Sequence, residues 1–173
     1  MNSPCLSESN IQTIQNLCEE LKVKLHIREA FVPETEKSKC FFCSWNRRKS
    51  FFRACEELDC NILALGHHKD DIIETLLLNL FYHVEISTMP PKLDFFKGAL
   101  TLVRPLSYIE EYQTKKYAKE HGFLTTSCDS IFNLSSKRLM IKTMIGELRK
   151  TNPAIKENLF NSMKKEIKNE YIL

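Results

Sequence analysis

The chain has 173 residues, 43% of them hydrophobic and 27% charged, with a net charge of +3. That length supports one domain with its own core, and the balance is ordinary for a soluble globular protein. No apolar run approaches the ~20 residues that span a bilayer and no signal-peptide pattern is present, so a cytoplasmic protein without a membrane partner is expected. The small positive charge does not establish a nucleic-acid partner, and the placement of the basic residues matters more. Seven cysteines in a chain that reads as intracellular point to metal binding or sulfur chemistry for any that are not core residues.

In chain order, Ser9 and Gln12 fit a capping box, and Ile11, Ile14, Leu17, Cys18 and Leu21 recur at helical spacing. A helix from about Ser9 to Leu21 follows, with Cys18 on its core face. Val23, Leu25 and Ile27 alternate with polar residues, which reads as a strand. A polar loop leads to Cys40-Phe41-Phe42-Cys43, and Ser44 is placed to cap a helix carrying Trp45, Arg47, Arg48 and Lys49 on its first turns. Ile62 to Leu65 reads as a buried strand ending at Gly66, followed by a helix from Asp70 to about Tyr82. Met89-Pro90-Pro91-Lys92 must be extended, because two prolines forbid helix.

Further on, Ala99 to Val103 is a strand and Ile109 to His121 a helix closed by Gly122. Helices from Leu134 to about Lys150 and from about Ala154 to Asn169 complete the chain, with Pro153 between them. The alternation predicts an α/β layer with a parallel sheet over about 1–128, and a helical C-terminal section from about 129 packed on it.

Three groups could carry chemistry. Cys40 and Cys43 form a C-x-x-C pair, a spacing shared by zinc sites, iron–sulfur sites and redox pairs. The polar loop before it argues against a redox pair. Cys128 and a central histidine are candidate further ligands, and three thiolates suit a cluster with one iron left open. Cys55 and Cys60 read as core residues. Arg47, Arg48 and Lys49 directly follow the pair, and guanidinium groups match phosphate oxygens bidentately. Lys137, Arg138, Lys142, Arg149 and Lys150 make a second basic stripe; for both stripes a solvated helix face is the competing reading.

The densest cluster is His67, His68, Asp70, Asp71 and Glu74, where a strand gives way to a helix. Open α/β sheets bind ligands at such strand ends. Paired aspartates could hold Mg²⁺ together with phosphate oxygens, or simply complement the helix dipole.

Gly66-His67-His68-Lys69-Asp70-Asp71-Ile72-Ile73-Glu74-Thr75 resembles the GHxxDDxxET signature of the PP-loop ATP pyrophosphatases. Together with the C-x-x-C pair, Arg47-Arg48, Met89-Pro90-Pro91-Lys92, Arg104-Pro105-Leu106 and Cys128, it resembles the tRNA 2-thiocytidine synthetase (TtcA) branch. The resemblance implies a Rossmann-like fold and an enzyme that thiolates a cytidine of the tRNA anticodon loop. ATP would adenylate the base oxygen, and sulfur would then displace AMP. It implies a 4Fe-4S cluster on Cys40, Cys43 and Cys128, and ATP and Mg²⁺ near Gly66, His67, Asp70, Asp71 and Glu74, with the two aspartates catalytic. It also implies tRNA held by Arg47, Arg48, Lys49 and Arg138, a sulfur donor such as a cysteine desulfurase, and a homodimer in the full-length form.

The family's SGGxDS loop, which grips pyrophosphate at a helix N-terminus, is not found in this sequence. The expectation is therefore a C-terminal portion of such an enzyme, inactive alone, with unpaired sheet edges. The competing expectations are a non-catalytic tRNA- or partner-binding module with a structural metal site, and a thiolase of another tRNA base.

Overall fold

The computed structural model describes residues 8–28, 39–123 and 137–164. These fold into two compact units that share the chain in turns. The first takes residues up to Leu65, then Lys92–Val103 and the stretch from Lys115; the second takes Gly66–Pro91, Arg104–Thr114 and the C-terminal part.

The first unit contains α1 (Glu8–Glu20), α2 (Lys39–Glu57), β1 (Ile62–Ala64), β2 (Lys92–Phe95), β3 (Leu100–Val103) and most of α4 (Glu111–Glu120). Its three helices end alike. Lys22, Asp59 and Gly122 adopt left-handed backbone, with φ of 55°, 52° and 66°. The next amide then reaches back to a carbonyl five residues earlier: Val23 to Cys18, Cys60 to Cys55 and Phe123 to Ala118. Each closure satisfies carbonyls that the helix end leaves orphaned. α2 begins at Lys39, so Ser44 lies inside the helix rather than capping it, and the backbone of Cys40 and Cys43 belongs to its first turns.

The sheet has the order β1–β3–β2. β1 runs parallel to β3, with Leu63 opposite Leu102, while β2 runs antiparallel to it, with Leu93 also opposite Leu102. The expected all-parallel sheet is therefore corrected to a mixed one. The reason is the short Phe96–Gly98 turn of 3-10 helix between β2 and β3: so brief a connection makes a hairpin, whereas a parallel pair needs a long crossover. At the turn, Phe96 and Lys97 are consecutive non-glycine residues at φ 52° and 57°, a conformation that costs about 1–2 kcal/mol per residue. β3 is the central strand, and it buries Leu100 and Leu102.

The strand expected over Val23–Ile27 is not formed. Its apolar alternation is real, but a strand requires a ladder partner, and residues 23–28 pair with none of the described strands. Leu25 and Ile27 instead line an open groove of about 300 Å³ with Ile11 and Ile14 of α1 and Arg47, Phe51 and Ala54 of α2.

In the second unit α3 (Lys69–Tyr82) packs with α5 (Lys137–Thr151) and α6 (Ile155–Ser162). Ile72, Ile73, Leu77, Ile141, Ile145 and Phe160 form its core. Each such side chain contributes roughly 1.5–3 kcal/mol by leaving water. The loop after α3 is tied back by Thr88, whose hydroxyl donates to the Ile72 carbonyl at 2.6 Å, and by Asn79 on the Ser87 carbonyl at 3.0 Å. The last expected helix is shorter than its pattern, ending at Ser162, and the stretch beyond 164 lies outside the described residues. No described helix is long and apolar enough to cross a membrane.

Candidate functional site

The sequence cluster from Gly66 to Thr75 becomes the approach to α3 and its N-terminal turns, within the second unit. His68 is the N-cap residue. Its Nδ1 accepts from the Asp71 amide at 3.3 Å, and the Asp71 carboxylate accepts from the His68 amide at 3.0 Å. This is a capping box with histidine in the usual Ser/Thr place, and it satisfies two orphan donors reciprocally. His67 is fixed from the other side: the buried Arg104 guanidinium donates through Nε to its Nδ1 at 3.3 Å and through Nη1 to the Pro90 carbonyl. Arg104 thus links the Pro90 carbonyl to the histidine.

Asp70 is buried. One carboxylate oxygen accepts from the Glu111 amide at 2.7 Å, and the other meets the Lys156 ammonium from α6. Burial by itself would raise its pKa, but the Lys156 and Glu111 hydrogen bonds and the ammonium charge outweigh that and hold it below the ordinary carboxylate range. Asp71 faces the Arg138 guanidinium of α5 at 3.1 Å. Arg138 also lies 3.6 Å from Glu74 and donates to the Thr75 hydroxyl at 3.2 Å.

Glu74 is 5% exposed. Desolvation pushes its carboxyl up to about 7, with Asp71 and Glu111 adding to the rise and Arg138 and Lys142 opposing it. Lys142 holds both Glu111 oxygens at 2.6 and 2.8 Å, and Arg149 lies 3.7 Å from Glu110. Lys69, also buried, pairs with Glu157 and lies over the Phe160 ring at 5.1 Å.

Asp70, Asp71 and Glu74 are therefore brought together as the sequence suggests, but each meets a protein cation. As placed, they do not fit a protein-held Mg²⁺: Lys156 and Arg138 occupy the faces an ion would take. Among the described residues no three His, Cys, Asp or Glu side chains converge on a metal position. A methyl group at Gly66 would meet no atom within 4 Å, so no packing demands glycine there.

The second basic stripe is largely met within the protein. Arg138, Lys142 and Arg149 face carboxylates of this network, Lys150 pairs with Glu147, and Lys137 lies over the Tyr82 ring at 4.1 Å. Arg47, Arg48 and Lys49 of α2 are all exposed, and Arg47 also lines the groove with Arg28 and Phe51. Cys128 lies outside the described residues. Cys40 and Cys43, three residues apart at the start of α2, are thiols of the kind that iron–sulfur and zinc centres use. Cys55 is buried and its thiol is pushed up by desolvation, with Cys60 adding to the shift, as suits an inert core cysteine. Cys60, expected in the core, is exposed beyond the end of α2.

Sequence reasoning missed Lys69, Lys156 and the Glu110–Glu111 pair as parts of this network. A buried aspartate at a helix start demands a cation, but nothing local says which of 25 lysines and arginines supplies it.

The PP-loop domain profile matches residues 5–143. Over 161 residues the chain is 37% identical to a protein named tRNA-cytidine(32) 2-sulfurtransferase from Polynucleobacter asymbioticus, covering 88% of this chain and 53% of that one. A protein of the same name from a Janthinobacterium species is 41% identical over 140 residues, covering 79% and 43%. The chain spans about half the length of the curated relatives it matches. Among solved structures, the U34-tRNA thiolase NcsA from Methanococcus maripaludis with its 4Fe-4S cluster superposes with a TM-score of 0.76, over 99% of this chain and 63% of that one. At 20% sequence identity this likeness is one of fold. A profile match over most of the chain, on a fold of the same kind and with the central signature at the start of α3, places the chain in the PP-loop domain family.

Proposed function

We propose that this chain is part of an ATP-dependent tRNA thiolase that forms 2-thiocytidine at position 32 of the anticodon loop. The observation that carries this reading is the 37–41% identity to proteins of that named activity across most of the chain. Adenylation of the cytidine O2 by ATP, with release of pyrophosphate, would make AMP a leaving group at C2. A sulfur nucleophile would then replace it.

In this reading the α3 start is the nucleotide-facing element. Gly66 leaves its backbone open to an approaching phosphate, and His67 is held in one orientation by Arg104. Asp70 and Asp71 fix the helix start through Lys156 and Arg138, and Glu74 holds or releases a proton near neutrality. Cys40, Cys43 and Cys128 would hold a 4Fe-4S cluster, which would present a bound sulfide as the nucleophile. Arg47, Arg48 and Lys49 would take RNA phosphates, with a cysteine desulfurase as sulfur donor and a thiol reductant to bring its persulfide sulfur to sulfide, in a cytoplasmic homodimer.

The test is mass spectrometry of tRNA nucleosides from a strain lacking the gene. Loss of 2-thiocytidine, restored by the gene, is expected; unchanged 2-thiocytidine would exclude the activity, and loss of a different thionucleoside would reassign the base. One observation favours a second reading, a tRNA-binding module without catalysis: Asp70 and Asp71 are both engaged by protein cations. That reading expects tRNA binding with no ATP dependence that survives Asp70→Ala.

A further inference from the structure

Trp45, Arg48, Lys49 and Phe52 follow one another along α2 at offsets of three, four and seven residues, which sets them on one stripe of the helix. Phe52 closes the stripe against the β2–β3 hairpin. Its ring lies 5.2 Å from Phe95 and 6.0 Å from Phe96, the latter edge-on, and Phe95 and Phe96 are 6.2 Å apart. Packing accounts for Phe52 and Phe95, both half-buried. It does not account for Trp45, 56% exposed, or Phe96, 66% exposed.

Phe96 also sits at the first of two consecutive left-handed non-glycine residues, with exposed Lys97 the second. Strained backbone of this kind concentrates at binding sites. The groove on another side of α2, lined by Arg47, Phe51 and Ala54, is a separate feature.

We propose that Phe96, with Trp45 and the Arg48–Lys49 pair between them, is a stacking platform for unpaired bases of single-stranded RNA. Aromatic faces alternating with cations are what such RNA requires: every base has a π-face to stack, and every linkage carries a phosphate to neutralise. A protein partner would gain little from the cations, and a paired duplex could not offer its base faces to the rings. The inference rests on the tRNA reading above and deepens it, assigning the unpaired loop rather than the stem to this face. Single-stranded loops are where protein side chains reach bases.

The experiment measures binding of the full chain to an anticodon stem-loop RNA and to a blunt duplex RNA of equal phosphate count, across a salt series. Phe96→Ala is expected to weaken loop binding on the order of ten-fold and to leave duplex binding and the salt slope unchanged. Phe96→Leu, which keeps apolar bulk against Phe52, should lose the same affinity, while Phe96→Trp should retain it. A double Arg48→Ala, Lys49→Ala variant should weaken both RNAs and lower the salt slope. Loop binding by Phe96→Ala and Phe96→Leu at wild-type strength would overturn the platform while leaving the tRNA reading in place. No binding of the stem-loop by the wild-type chain would remove both.

Discussion

The Lys156 ammonium on α6 meets the Asp70 carboxylate on the first turn of α3, across 86 residues of sequence, with the Glu111 amide on the second carboxylate oxygen at 2.7 Å. One buried carboxylate therefore ties together the starts of α3, α4 and α6. Removing one partner of such a pair strands the other in low dielectric, which costs about 3–5 kcal/mol. Lys156→Met should lose about that much stability in urea unfolding. The double variant with Asp70→Asn should recover most of it, because no uncompensated charge remains. Two single variants whose losses simply add would show that the pair is uncoupled.

The same carboxylate sets an acid limit. The folded pKa of Asp70 lies below its unfolded value, which is near ~3.9. Its stabilisation is therefore complete above that range and is lost as pH falls through the folded value. Wild type should lose stability on acidification more steeply than the Asp70→Asn, Lys156→Met variant, as read from melting temperature against pH.

Glu74 gives the opposite slope. Its folded value, about 7, lies above the ordinary 4.5, so between these pH values the folded state binds the extra proton. Stability from this group is present below 4.5 and declines as pH rises through 7, by roughly 3 kcal/mol at about 1.4 kcal/mol per unit. Glu74→Gln should therefore be more stable than wild type at pH 8 and no more stable at pH 4. A constant difference across that range would refute the shifted carboxyl.

Core packing in the second unit is testable at Ile141, which is fully buried between α3 and α6. Ile141→Ala should cost 2–5 kcal/mol, since a cavity is left as well as lost transfer energy. The urea midpoint should fall with little change in m.

The cluster proposal predicts a brown protein after anaerobic purification. Cys40→Ala, Cys43→Ala and Cys128→Ala should each lose most of the iron and labile sulfide. Cys60→Ala, a change at an exposed thiol outside the proposed ligand set, should retain both. Unchanged iron in the first three variants would reject the ligand assignment.

Local patterns were the legible part. The apolar spacing of α1, the Gly122 stop and the polar run opening α3 are local signals, and all are found in the structure. What sequence could not give were decisions made by distant chain. Val23–Ile27 carries strand alternation but pairs with no described strand, and β2 was hidden because Pro90-Pro91 marks only the extended approach to it. The site was legible in residue type but not in state: Asp70 and Asp71 stand out as a carboxylate pair, yet which cations meet them depends on helices more than sixty residues downstream.

The alternation of the chain between its two units at Leu65–Gly66, Pro91–Lys92, Val103–Arg104 and Thr114–Lys115 bears on how the protein can be made. During synthesis β1 leaves the ribosome long before β3, and all of α3 emerges between them. The sheet cannot close while that helix is still in the exit tunnel, and the core around α3 must in turn wait for α5 and α6. No single cut releases either unit as a continuous polypeptide. Expression of half the chain should therefore give material that aggregates, and rescue should require the missing half to be present in the same cell during translation.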